Sequence, residues 1–263
     1  MTLTVPFVPT YDVLGCAIHG VTAEKLTDLV DRAVDDRQFS IVANHNLHSL
    51  YWYHKDPKMQ QFFRHSRWTH ADGMSVVLLG RLLGARLDRS ARVTYVDWLP
   101  LLMERARERS WRVFYLGSRP GIADEGARKL IETYSGIDLE YAHGHFDSAG
   151  EENQKILERI GSYSPHILFV GMGMPRQEHW ILDNLEHLGT AVVLPCGAAI
   201  DYVAGEIRTP PRWAGRWGLE WLFRLIAEPG RLWRRYLIEP WLLSALLARR
   251  WFQPQSTRKN TRL

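Results

Sequence analysis

Ile167-Leu-Phe-Val-Gly-Met-Gly-Met-Pro-Arg-Gln-Glu178 passes from a short apolar run, through two glycines, into a helix that starts at a proline. A short run of apolar, β-branched or aromatic residues bounded by turn residues is typical of a parallel strand buried on both faces. The first turn of the helix that follows has free N–H groups, which suit an anionic or carbonyl-rich ligand. This stretch therefore predicts a buried strand that ends in a ligand-binding loop.

The same alternation of strand and helix fills the first 206 residues. Asp56 and Pro57 offer an N-cap and a first-turn proline, and Asp97 precedes the periodic run up to Arg109. Strands that alternate with helices predict an α/β fold, a Rossmann-like parallel sheet with helices on both faces. The other runs that predict strands are Phe39–Ala43, Trp68–Ala71, Val113–Leu116 and Ala191–Leu194.

The last part of the chain, residues 207–263, differs from the rest in charge. It holds 12 Lys and Arg against 3 Asp and Glu, a balance of +9, whereas residues 1–206 hold 21 against 26, a balance of −5. Pro210 and Pro211 mark the boundary, and Pro229 and Pro240 divide the remainder into about three short helices. We expect residues 207–263 to form a helical appendage that meets something anionic. Six of the 11 tryptophans lie in it: Trp213, Trp217, Trp221, Trp233, Trp241 and Trp251.

Several protein classes are disfavoured by the sequence. No stretch reaches the ~18 to 20 uninterrupted apolar residues of a membrane span. Residues 1–10 lack the basic segment and apolar core of a secretory signal. Cys16 and Cys196 lie far apart and form no CxxC pair, so we interpret them as buried thiols of a cytoplasmic protein.

Polar and glycine-rich segments follow the predicted strands. The carboxyl ends of parallel strands share one edge of the sheet, where ligands bind, so these segments predict a binding site. Gly171-x-Gly173 lacks the third glycine of the dinucleotide motif, with Arg176 in its place, and GxxxxGK[ST] does not occur. The segments are 44–46, 72–73, 117–119, 143–146, 171–178 and 195–197.

Metal-binding patterns are incomplete. The Asp-x-Asp clamp for a nucleotide-sugar diphosphate is missing. His45 and His48 have HxxH spacing, and His143 and His145 flank a glycine, but nothing completes either set. We interpret these histidines as loop and packing residues. We expect neither a metal ion nor a cofactor, so arginines and backbone amides would hold any bound diphosphate.

Taken together, these segments resemble the WecG/TagA/CpsF family of bacterial glycosyltransferases (glycosyltransferase family 26). The resemblance runs from about Val13 to Leu237, and its most specific pieces are Gly171–Glu178 and Gly218–Leu237. It implies inverting, metal-independent transfer from a UDP-sugar onto a polyprenyl-diphosphate-linked sugar in cell-surface or exopolysaccharide biosynthesis. Glucose, N-acetylmannosamine and its uronic acid all remain open as the sugar. Ala-Asp-Gly at 71–73, Arg-Val-Thr at 92–94 and Asp-Tyr-Val-Ala-Gly at 201–205 also look like the family.

The resemblance assigns roles to residues of the core. It makes Asp72 the catalytic base, whereas the sequence alone also allows Asp72 to cap the helix that starts at Met74. Arg92 looks like the family's phosphate-contacting arginine. The family commonly has Thr-Pro-Asn where this chain has Asn44-His45-Asn46, which leaves the role of Asn44 open. The substrate-binding residues that we predict are Asn44, Asn46, Arg92, Gly117, Gly171, Gln177 and Glu178.

The resemblance also assigns the appendage to the acceptor and the membrane. Its tryptophans suit the bilayer interface, and we expect a peripheral (monotopic) protein at the cytoplasmic face of the inner membrane. We expect residues 1–206 to bind the nucleotide sugar. The alternative for the appendage is a plain amphipathic helix that packs on residues 1–206 and has no role at the membrane. The arginines that resemble those for the acceptor diphosphate are Arg224, Arg231, Arg234 and Arg235.

Two other functions are compatible with parts of the sequence. A nucleotide-dependent methyl or hydride transferase would use the same kind of sheet, but the missing glycine motif argues against it. A nucleic-acid-binding protein is suggested by the basic, aromatic appendage and the pI of about 9.1. The acidic balance of residues 1–206 disfavours it, so we expect no nucleic-acid partner.

Overall fold

A parallel six-stranded sheet forms the centre of the protein in the computed structural model, which describes residues 8–189 and 191–252. An antiparallel hairpin of β1 (Thr10–Val13) and β2 (Cys16–His19) precedes it. The sheet strands are β3 (Ser40–His45), β4 (Trp68–Ala71), β5 (Arg112–Gly117), β6 (Asp138–Ala142), β7 (Ile167–Gly171) and β8 (Val192–Pro195).

The strands lie in the order β4-β3-β8-β7-β5-β6, and every neighbouring pair is parallel. The predicted α/β class with a Rossmann-like parallel sheet is therefore confirmed. All six carboxyl ends lie at one edge of the sheet, and the segments that follow them meet there.

Helices cover both faces of the sheet, and successive residues of the central strands alternate between two apolar clusters. In β5, Val113 and Tyr115 pack into the cluster on one face, whereas Phe114 and Leu116 pack into the cluster on the other. Burial on both sides explains why this strand is an unbroken apolar run. The helices of this part are α1 (Ala23–Asp35), α2 (Leu47–Lys55), α3 (Pro57–His65), α4 (Met74–Leu82), α5 (Tyr95–Glu108), α6 (Ile122–Thr133), α7 (Glu151–Tyr163), α8 (Arg176–Asp183) and α9 (Ala199–Ala204).

One of the two predicted helix starts is confirmed. Asp56 caps α3 by accepting a hydrogen bond from the N–H of Lys58 at 2.9 Å, and Pro57 occupies the first turn. Asp97 does not begin α5, which starts two residues earlier. Its carboxylate instead accepts hydrogen bonds from the side chains of Arg92 and Thr94.

The C-terminal helices are α10 (Arg212–Trp217), α11 (Glu220–Ala227), α12 (Pro229–Trp233) and α13 (Glu239–Phe252). Pro229 starts a helix as predicted, but the expected break at Pro240 is absent. A π-helical turn at Arg234–Ile238 joins α12 directly to α13. Proline lacks a backbone donor and crowds the preceding turn, and a widened turn accommodates both effects. Within the described ranges, no helix is both long and apolar enough to span a bilayer.

The C-terminal helices pack on the rest of the chain through a few buried apolar side chains. Leu243 of α13 joins a cluster with Val13 and Ile18 of the hairpin and Val77 of α4. Leu232 of α12 is also buried. The appendage therefore shares a hydrophobic cluster with the hairpin and α4.

Candidate functional site

Asp72 lies at the carboxyl end of β4, one residue before the N-cap of α4. Its backbone N–H donates to the carbonyl of His45 at 2.8 Å, and the Nδ2 of Asn46 donates to its Oδ2 at 3.1 Å. Gly73 occupies the N-cap position of α4 with φ +102°, and no side chain caps this helix. The alternative that Asp72 caps α4 is therefore wrong. Its carboxylate is held by a neighbouring loop instead.

Asn46 joins that carboxylate to the start of α2. Its Oδ1 accepts from the N–H of Ser49 at 3.0 Å, and its own N–H donates to the hydroxyl of Ser49 at 2.9 Å, which makes a capping box. The cap fixes which end of the amide faces the helix, so the NH₂ end faces Asp72. The predicted site residue Asn46 thus positions the predicted base.

Arg92 lies beside the end of β4, because a parallel bridge pairs its backbone with Ala71. One guanidinium nitrogen donates to Thr94 Oγ1 at 3.1 Å and to Asp97 Oδ2 at 2.9 Å. The other lies 3.4 Å from Oε1 of Glu220 at the start of α11. Arg92 is therefore held between the core and the appendage, near the candidate base.

Two of the four arginines predicted for the acceptor diphosphate, Arg224 and Arg235, approach the candidate base. The guanidinium of Arg224 lies 5.1 Å from the centre of the Tyr202 ring. Asp72 lies within electrostatic range of both Arg224 and Arg235. Arg234 is exposed. The side chains of Arg231 and Trp251 lie outside the part of the chain that is described.

Asn44, Gly117 and Gly171 have structural roles in the sheet. The Nδ2 of Asn44, which is buried, donates to the carbonyl of Pro195 at 2.8 Å and ties β3 to β8. A Cβ added at Gly117 would lie 2.4 Å from the carbonyl oxygen of Gly171, closer than atoms can approach. Gly117 therefore allows the ends of β5 and β7 to pack together. Their direct contact with a substrate stays a prediction.

Gln177 and Glu178 are buried beneath the loop that follows β7, each only 1% exposed. The Oε1 of Gln177 accepts from the N–H of Gly197 at 3.1 Å, and its Nε2 donates to Oε1 of Glu178 at 2.8 Å. Burial raises the pKa of Glu178 to about 7, although its hydrogen bonds lower it. Oε2 of Glu178 has no hydrogen-bond partner in the described part of the chain. Gln177 therefore supports the loop that contains Gly197, and Glu178 holds the side chain of Gln177 in place.

Three of the four histidines with metal-ligand spacing have separate partners. Nδ1 of His45 lies 2.9 Å from the hydroxyl of Ser49, while Nδ1 of His48 lies 2.6 Å from Oε2 of Glu239. Nδ1 of His145 lies 3.1 Å from the carbonyl of Ser118. Across residues 8–189 and 191–252, no three His, Cys, Asp or Glu side chains converge as a metal site would require. Both cysteines are buried and unpaired, as predicted.

Sequence reasoning missed two residues of this region, Tyr202 and Glu220. Tyr202 belongs to one of the motifs that carried the family resemblance, but no role was assigned to it. Glu220 lies in Gly218–Leu237, another segment that carried the resemblance, but its contact with Arg92 depends on where α11 docks. A Cβ at Gly215 would lie 2.6 Å from both Arg92 Nη2 and Glu220 Oε1, so a glycine there permits the close approach.

Comparison with known proteins shows the family to which the chain belongs. The model of the glycosyl transferase WecG/TagA/CpsF family matches residues 11–257. Two curated relatives carry the name N-acetylglucosaminyldiphosphoundecaprenol N-acetyl-beta-D-mannosaminyltransferase. The one from Bacillus spizizenii is 26% identical over 193 residues, 73% of each chain. The one from Bacillus subtilis is 27% identical over 230 residues, 85% of this chain and 87% of the relative. The chain is therefore a glycosyltransferase that belongs to the WecG/TagA/CpsF family.

Proposed function

We propose that this protein moves N-acetylmannosamine from UDP onto N-acetylglucosamine linked to a polyprenyl diphosphate, in cell-surface or exopolysaccharide biosynthesis. The names of the two relatives support the sugar and the acceptor. The observation that carries the proposal is the carboxylate of Asp72, held by Asn46 at the carboxyl edge of the sheet within electrostatic range of two appendage arginines.

In the proposed reaction, Asp72 accepts the proton of the acceptor hydroxyl while that oxygen attacks the anomeric carbon. The bond from the anomeric carbon to the phosphate oxygen breaks, and its electron pair leaves with UDP. Attack from the face opposite UDP turns the α-linkage into a β-linkage, so the transfer is inverting. The fixed position of the carboxylate favours this step, because a base must lie within hydrogen-bond reach of the proton it removes.

The arginines balance the negative charge of the two substrates in this proposal. Arg92 at the end of β4 would contact the diphosphate, and a phosphate oxygen there would compete with Glu220 for the same guanidinium. Arg224 and Arg235 would face the diphosphate of the acceptor. No metal ion is required when charge-assisted hydrogen bonds from arginine fulfil that role.

The appendage, residues 207–263, would hold the protein at the cytoplasmic face of the inner membrane, while residues 1–206 bind the nucleotide sugar. Trp217 and Trp241 are 72% and 75% exposed, which is unusual for the largest apolar side chain. Tryptophan rings prefer the level of the lipid head groups, and the arginines around them would attract anionic lipid. These features support peripheral binding rather than a plain packed helix.

A panel of donors tests the proposal. UDP-N-acetylmannosamine, its uronic acid and UDP-glucose would each be incubated with the protein and a polyprenyl-diphosphate-linked N-acetylglucosamine, and the lipid product measured. We expect transfer from UDP-N-acetylmannosamine to be the fastest. Faster transfer of another sugar would overturn the choice of donor, and no transfer from any donor would overturn the proposed reaction.

A further inference from the structure

His48 of α2 contacts the last helix of the appendage. Its Nδ1 lies 2.6 Å from Oε2 of Glu239, the first residue of α13, and the indole Nε1 of Trp52 donates to its Nε2 at 3.2 Å. Indole nitrogen is only a donor, so Nε2 of His48 must be the unprotonated acceptor. The hydrogen on Nδ1 is then the one donated to the carboxylate. The contact is thus a hydrogen bond from a neutral imidazole to a carboxylate.

The contact is largely shielded from water. The side chains of His48 and Glu239 are 15% and 13% exposed. Burial lowers the pKa of His48, although Glu239 opposes that effect, which agrees with a neutral ring. A buried hydrogen bond to a carboxylate is stronger than an exposed one, and loss of the donor would remove this hydrogen bond from the buried carboxylate of Glu239.

Glu239 and His48 each lie close to a residue of the proposed site. Glu239 comes four residues after Arg235, one helical turn further along, and Arg235 lies within electrostatic range of both His48 and Asp72. His48 comes two residues after Asn46, which holds Asp72. The start of α2 therefore contacts the candidate base through its N-cap, Asn46, and contacts Glu239 through His48. Glu239 directly follows the arginine-bearing turn of the appendage, Arg234–Ile238.

We propose that His48 is a positioning residue that clamps the arginine-bearing turn of the appendage over Asp72 and thereby sets the affinity for the lipid-linked acceptor. This inference rests on the proposed function. His48 itself touches neither the reacting atoms nor the diphosphate. Its effect passes through Glu239 to the position of Arg235.

The test is a set of substitutions in the full-length protein. His48→Ala and Glu239→Gln weaken the contact from either side, and His48→Asn keeps a donor near the position of Nδ1. His54→Ala, on the same helix, is the matched control. KM for the acceptor, KM for the UDP-sugar and kcat would be measured, together with hydrogen–deuterium exchange of the start of α13.

We expect His48→Ala to raise KM for the acceptor by about tenfold, the worth of one hydrogen bond to a charged group. KM for the UDP-sugar should stay within about twofold and exchange in α13 should increase, with His48→Asn closer to the wild type. An unchanged acceptor KM with unchanged exchange would overturn the clamp. An equal rise in KM for the UDP-sugar and for the acceptor would mean that His48 has only a structural role, and it would overturn the clamp too. If the wild type transferred no sugar, the proposed function would fail, and exchange in α13 alone would decide on the clamp.

Discussion

The side-chain amide of Asn46 donates to Oδ2 of Asp72 at 3.1 Å while its Oδ1 caps α2 through the N–H of Ser49. One side chain thus connects the start of a helix to the carboxylate that we propose as the catalytic base. Because the cap fixes the orientation of the amide, the helix indirectly fixes that carboxylate.

Asn46→Asp tests this connection. Aspartate caps helices as well as asparagine does, but it replaces the donor by a second carboxylate beside Asp72. Two carboxylates this close repel each other, so the new side chain should displace Asp72 from the position that the amide of Asn46 holds. We expect turnover to fall by roughly tenfold. Asn46→Ser, which caps without adding charge, is the control and should lose less. Normal turnover of a folded Asn46→Asp protein would refute the connection.

Arg224 should matter more for acceptor use than Arg234. Arg224 lies against Tyr202 within electrostatic range of Asp72, whereas Arg234 is exposed. We expect Arg224→Ala to raise KM for the acceptor by roughly tenfold or more, and Arg234→Ala to have a smaller effect. Steady-state kinetics with varied acceptor would measure both. The reverse ranking would show that Arg224 only packs on the core.

Glu178 should make stability depend on pH. Burial raises its pKa from the ordinary 4.5 to about 7 in the folded protein, so the folded state binds a proton more tightly than the unfolded state. The contribution of Glu178 to the free energy of unfolding is therefore fully present below about pH 4.5 and is lost as the pH rises through 7. The full loss is on the order of 3 kcal/mol, at about 1.4 kcal/mol for each pKa unit.

Glu178→Gln removes this ionisation and keeps an oxygen for the amide of Gln177. We expect the variant to unfold at higher urea concentration than the wild type at pH 8, with little difference at pH 4.5. Glu186→Gln, an exposed position one turn beyond α8, is the control and should change neither value. If wild type and Glu178→Gln unfolded at similar urea concentrations at pH 8, the folded protein would not bury an ionised Glu178, and the prediction would be wrong.

Apolar runs were sufficient to predict five of the six sheet strands, because strands buried on both faces, such as β5 and β7, require short unbroken apolar runs between turn residues. The edge strand β6 has no such run. The sequence also placed Asp72 and Asn46 at the same edge of the sheet, since both follow predicted strands, but that these strands are neighbours comes from the structure. The sequence could not predict the contact of Glu220 with Arg92 or that of Glu239 with His48. They depend on how the appendage docks through side chains such as Leu243, and no local pattern encodes that docking.

Transfer should not need a divalent metal ion. In the described residues the positive charges near Asp72 include those of Arg224 and Arg235, and three metal ligands do not converge there. We expect initial rates in excess EDTA to stay within about twofold of those with added Mg²⁺ or Mn²⁺, because arginine takes the place of the ion. Loss of activity in EDTA that Mn²⁺ or Mg²⁺ restores would contradict this.

The most direct test of the proposed reaction is the rate of sugar transfer by Asp72→Asn. The change is nearly isosteric and leaves every cap intact, because Asp72 caps no helix. Asp35→Asn, which removes a surface carboxylate paired with Arg109, is the control. With UDP-N-acetylmannosamine and the lipid-linked acceptor, we expect Asp72→Asn to bind UDP normally and to transfer sugar about 10²-fold more slowly or worse, as loss of a general base requires. Transfer by a folded Asp72→Asn protein at the rate of the control would contradict the role of Asp72 as the base.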